Sequence, residues 1–134
     1  MKAIKQITVT SILLALTTPT LANDVVTKLL QEYRSQAAQP FTAEAGWQLW
    51  IKPYTNASAD KRSCSTCHTS DPKQVGKHAR TGKRIEPLAP SVNPERLTKE
   101  QEIRKWLMRN CKWTLGRECD AQEKGDLLTY LNAL

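Results

Sequence analysis

The sequence predicts an all-α domain with long loops. Apolar residues recur at helical spacing in four segments, and no segment alternates with the two-residue period of a strand. The stretch from 69 to 97 holds four prolines and two glycines among many lysines and arginines, which marks it as ordered loop.

Each helix has its own signal. Val25, Val26, Leu29, Leu30 and Tyr33 share one face, so residues 24 to 38 form an amphipathic helix ending before Pro40. Thr42 caps a second helix from 43 to 52, which carries Trp47, Trp50 and Ile51 and stops at Pro53. Residues 53 to 63 are a polar loop. Thr98 and Gln101 have capping-box spacing, starting a third helix that runs to about 110. Asp120 and Glu123 start the last helix, in which Leu127, Leu128, Leu131 and Leu134 form the apolar stripe.

The first 22 residues stand apart. Lys2 and Lys5, an apolar run from Ile12 to Leu16 and then Thr20-Leu21-Ala22 have the order of a secretory signal peptide cleaved after Ala22. That leaves one domain, 23–134, in the periplasm. Its apolar core segment is too short to span a membrane, and no later segment approaches the roughly 20 apolar residues a span needs, so no stable membrane insertion is expected. Losing the two lysines lowers the formal charge from +7 to +5. An exported basic domain meets acidic proteins or anionic surfaces rather than nucleic acid. Its one phenylalanine, three tyrosines and four tryptophans are a thin aromatic supply, which a large apolar cofactor at the centre would supplement.

Cys64-Ser-Thr-Cys67-His68 names that cofactor, because this spacing is the attachment motif of c-type haem. Two thiols add to the two vinyl groups of the porphyrin, and the adjacent histidine ligates the iron. The thioredoxin alternative lacks its βαβ surroundings. A zinc site lacks the second close cysteine pair. One covalent haem c uses Cys64 and Cys67, leaving Cys111 and Cys119 to pair in an oxidising compartment.

His68 supplies one axial bond, and the function turns on the other. Met108 would make a plain electron-transfer cytochrome with His/Met ligation, His78 a bis-histidine one, and Asn110 something else. With successive residues about 100° apart and Ile103 at zero, Trp106, Leu107 and Asn110 fall within about 60° of it, whereas Met108 falls near 140°. The apolar face therefore carries Asn110, provided the helix stays regular to residue 110. Asparagine also ends helices commonly, and that alternative stands beside the ligand reading. Peroxidase-type chemistry needs a distal acid–base group, for which His78 is the sole candidate, so no catalytic residue is assigned.

"RKWLM" followed by "RNCKWTLGREC", with "RTGKRIEPLAPS" at 80 to 91 and "EKGDLLTYLNAL" at the end, resembles the sphaeroides haem protein (SHP) family of oxygen-binding monohaem cytochromes c. The resemblance covers nearly the whole chain after the signal peptide. It implies a class I cytochrome c fold with an additional N-terminal helix, a proximal His68, a distal Asn110 and a Cys111–Cys119 disulfide. It also implies an asparagine that binds ferric iron and leaves on reduction, admitting oxygen or another diatomic ligand. The electron donor it implies is a dihaem cytochrome c or other redox protein. By the same likeness, "EAGWQLW" at 44 to 50 resembles the helix whose glycine, Gly46, crosses the last helix around Leu128 and Leu131. Pro87 and Pro90 lie where a carbonyl would accept the His68 Nδ1 proton, and Arg80, Lys83 and Arg84 are candidate partners for haem propionates.

Overall fold

The structure is a computed structural model that describes residues 24–55 and 59–134. The signal peptide expected over 1–22 lies outside the described residues. Five helices and two minimal hairpins follow in the order α1 (Asp24–Arg34), α2 (Ala43–Ile51), β1 (Tyr54–Thr55), β2 (Lys61–Arg62), α3 (Ser65–His68), β3 (Gly76–Lys77), β4 (Arg84–Ile85), α4 (Glu100–Leu115) and α5 (Ala121–Asn132). Strands β1 and β2 pair antiparallel, as do β3 and β4. At two residues apiece these strands have no readable period, which is why the sequence shows loops there.

Helix α2 begins as expected, with Ala45 N–H donating to the Thr42 hydroxyl. Helix α5 has a full capping box, Asp120 and Glu123 each accepting from the other's backbone N–H. The third helix differs at both ends. Its N-cap is Lys99, without a side-chain bond, because Thr98 Oγ1 donates instead to the Glu95 carbonyl. It also continues past residue 110 to Leu115, where Gly116 closes it in the left-handed conformation at φ 77°. Helix α1 stops at Arg34 rather than 38, its end folded back by Arg34 donating to the Gln39 carbonyl.

Helices α2 and α1 both pack against α5. The α2–α5 crossing is made at Gly46, where an added Cβ would lie 2.1 Å from the Asp126 carbonyl oxygen and 2.6 Å from Tyr130 Cβ. The contact therefore falls at Asp126 and Tyr130 rather than at Leu128 and Leu131. Buried Asp126 accepts from Thr42 N–H at 2.9 Å and from Gln122 Nε2 at 3.1 Å, so its carboxylate joins the start of α2 to α5.

Two clusters make the core. Trp50, Leu127, Tyr130 and Leu131 pack with the disulfide Cys111–Cys119, whose Cα atoms are 5.5 Å apart. Val26, Leu29, Tyr33, Ile103 and Leu128 form the second, under α1. Leu29 and Leu128 are wholly buried, each contributing about 1.5–3 kcal/mol by removal from water. The extra N-terminal helix is thus part of the core.

Candidate functional site

One turn of helix carries the motif. Cys67 N–H and His68 N–H both donate to the Cys64 carbonyl, and Ser63 N–H donates to Thr66 Oγ1, so α3 holds both thiols and the imidazole in a single turn. Thr69 stops that turn at φ 64°, ψ 171°. Gly76 lets the β3–β4 hairpin lie directly on it, since a Cβ there would meet the Cys67 carbonyl oxygen at 2.2 Å. Ala79 N–H points at Cys67 Sγ, 3.3 Å away.

A cavity of about 890 Å³ opens beside α3, and its walls gather the residues that the sequence singled out. Cys64, Cys67 and His68 line it, together with Ile103, Leu107 and Asn110 from α4. Asn110 is an interior residue of α4, so the alternative that it ends the helix falls. Met108 is 40% exposed and has no place in the cavity wall. His78 does line the cavity, but its Nδ1 accepts from Arg80 N–H and Thr81 N–H. Those two bonds occupy the Nδ1 lone pair.

Burial sets the electrostatics. It lowers the His68 pKa to about 4, helped by the charge of Arg96, so the imidazole is neutral and keeps a free lone pair. Burial likewise raises the Cys64 thiol to about 12. No group of three or more His, Cys, Asp or Glu side chains among the described residues is arranged to hold a metal ion.

A family model described as a domain of unknown function (DUF1924) matches residues 36–131. The cytochrome c-type protein SHP of Cereibacter sphaeroides is 43% identical over 116 residues, which are 86% of this chain and 89% of that protein. The chain belongs to the SHP family of c-type cytochromes.

The solved structure of oxidised SHP, described as an oxygen-binding cytochrome c, superposes with a TM-score of 0.75 at 42% identity, covering 81% of this chain and 96% of that one. Cytochrome c'' of Methylophilus methylotrophus is 36% identical over 80 residues, 60% of this chain and 56% of that protein. The structure of its oxidised form gives a TM-score of 0.73 at 29% identity, covering 82% and 94% of the two chains. This SHP-type chain is therefore a haem protein with the cytochrome c fold. The cavity suits haem on its own evidence: it has the volume of a cofactor site, Leu88, Leu97, Leu107 and Leu131 make it apolar, and two thiols and a neutral imidazole converge on it.

Of the three loop cations, Lys83 and Arg84 line the cavity and Arg80 does not, and Arg84 is paired with Glu86 at 2.8 Å. The cation that sequence reasoning missed is Arg96. Its Nε donates to the Pro87 carbonyl at 2.9 Å and its Nη2 to the Glu86 carbonyl at 3.0 Å. Asn93 Nδ2 also donates to Pro87, so that oxygen already has two donors, and among the described residues the His68 ring makes no hydrogen bond. No local signal marks Arg96, because its role depends on carbonyls nine and ten residues earlier in a loop.

Proposed function

We propose that this SHP-type cytochrome carries one covalently attached haem c, accepts electrons in the periplasm, and exchanges its own distal side chain for a diatomic ligand when reduced. When bound, haem supplies an iron that changes oxidation state and accepts axial ligands. Cys64 and Cys67 provide the thioether positions, His68 the proximal nitrogen, and Asn110 the distal amide oxygen. Arg96 fits a propionate: with its Nε–Nη2 edge on carbonyls, the Nη1–Nη2 end remains, in the forked geometry that grips a carboxylate. The observation that carries the reading is the cavity wall, which contains His68 and Asn110 and excludes Met108.

An amide oxygen is a hard, neutral, weak donor, and ferric iron is harder than ferrous. Asn110 therefore binds the oxidised site far better than the reduced one. Its departure leaves a position bordered by Trp106 and Leu107, and its NH₂ group remains able to donate a hydrogen bond. Oxygen, nitric oxide and carbon monoxide are the ligand class that suits this space. Trp106, 47% exposed, donates to Glu102, which also pairs with Lys105 at 3.1 Å, so Arg109, its Cζ 5.5 Å from the ring, is the cation this aromatic surface offers to an acidic donor such as a dihaem cytochrome c. No helix among the described residues is long and apolar enough to cross a membrane.

Absorption spectra of the holoprotein, ferric and then ferrous, with and without carbon monoxide, test the reading. A low-spin ferric form that becomes high-spin on reduction and shifts fully with carbon monoxide is the expected result. A ferrous form that stays low-spin and ignores carbon monoxide means that a side chain holds the iron in both states, and the protein is then a plain electron carrier.

A further inference from the structure

Thr69, directly after the proximal histidine, sits at φ 64° and ψ 171°. Residues other than glycine rarely adopt this conformation and keep it only where their surroundings over-determine it. Two hydrogen bonds do so here. Trp50 Nε1 donates to the Thr69 carbonyl at 2.9 Å, and Thr69 Oγ1 donates to the Asp71 carbonyl at 2.7 Å.

The indole is itself immobile. Trp50 is 3% exposed, meets Tyr130 edge-on at 6.0 Å between centroids, and lies 5.6 Å from the His68 ring at 42°. The imidazole, by contrast, makes no hydrogen bond among the described residues, and the Pro87 carbonyl already accepts from Asn93 and Arg96. Something other than an Nδ1 hydrogen bond must orient the ring.

We propose that Trp50 is the positioning residue of the proximal histidine, its indole fixing the backbone at Thr69 through one hydrogen bond and the bearing of the His68 ring through direct packing. The proposal rests on His68 being the axial ligand. A ring located by packing keeps its bearing when Asn110 leaves the other side, so exchange at the distal position leaves the proximal side undisturbed. Phenylalanine at position 50 would satisfy the packing with Tyr130. The indole N–H is what Trp50 adds.

The test uses ferrous holoprotein of wild type, Trp50→Phe and Thr69→Gly. Trp50→Phe keeps a ring against Tyr130 and His68 but removes the donor, while Thr69→Gly keeps the donor and frees the backbone from its constraint. In both, the iron–imidazole stretching band in resonance Raman spectra is expected to broaden and shift, and the reduction midpoint to move in the same sense. A wild-type band and midpoint in either variant overturns the proposal, even where the melting temperature falls, because Trp50 is then core packing alone. His68→Ala is the control for the underlying reading: unchanged ferric spectrum and haem content in that variant would remove the axial ligand itself, a failure distinct from an unresponsive Trp50→Phe.

Discussion

Asn110 and Met108 are two positions apart on one helix, and that spacing separates their roles. Two residues advance about 200° around an α-helix, so when Asn110 faces the cavity Met108 faces water. Asparagine is a poor helix former and caps nothing in the interior of α4, which runs on to Leu115. Its presence there is a cost to the helix that the proposed ligand role accounts for. Asn110→Ala is therefore expected to leave the unfolding free energy of the ferrous holoprotein unchanged or raised by up to about 0.5 kcal/mol, while the low-spin ferric spectrum disappears. Met108→Leu should keep both spectra and shift stability by less than about 0.5 kcal/mol. Denaturant titration beside visible spectroscopy reads both quantities, and loss of the low-spin signal in Met108→Leu would reverse the assignment.

Among the helices, the capping chemistry separates two threonine- or aspartate-led starts that look alike in sequence. Asp120 closes a reciprocal box with Glu123, so Asp120→Ala should cost about 1 kcal/mol. Thr98 bonds backward to Glu95 and caps nothing, and Thr98→Ala should stay within about 0.5 kcal/mol. Equal losses in urea unfolding would mean that Thr98 does cap α4. The Cys111–Cys119 bridge joins α4, one residue beyond Asn110, to the start of α5. A loop this short gives about 2–3 kcal/mol by chain entropy, which Cys111→Ser, Cys119→Ser should lose. If the bridge also limits how far Asn110 swings, the ferrous carbon monoxide on-rate changes in the same variant, and an unchanged rate confines the bridge to stability. What could be read in advance followed locality. The helices, the α5 box, the haem motif and the Asn110 face all depend on spacings within a few residues. The short hairpins, Arg96 on distant carbonyls and the Trp50–Thr69 bond depend on where loops fold back. The far end of α4 was legible in principle, because Gly116 is the left-handed stop that a helix of this length ends on.

Taken whole, the molecule ties its additional helix to the helix that carries Asn110. Under α1 the ties are apolar, through Leu29 and Leu128, with Ile103 of α4 in the same cluster. At the surface they are ionic: Lys28 pairs with Glu100 at 2.7 Å, and Arg104 pairs with both Glu100 and Glu32. The bond from Arg104 holds the Glu32 carboxyl below its ordinary value of 4.5, and bonds from Lys28 and then Arg104 do the same for Glu100. Carboxyls depressed by folding contribute stability that is complete above the ordinary value and is lost as pH falls through the lower folded values. The melting temperature of the ferric holoprotein should therefore drop between about pH 5 and pH 3, and less steeply at high salt, because these pairs are exposed and screened. Glu123, held down by Arg117, and Glu118, held down by Lys112, share in that drop but lie at the other end of α4. Arg104→Ala should consequently flatten the decline without abolishing it. It should also bring hydrogen exchange in α1 at pH 5 closer to its value at pH 3, since the contact that acid weakens is already gone. An identical pH slope in wild type and Arg104→Ala would mean that the network decorates the α1–α4 contact while the buried leucines alone hold it.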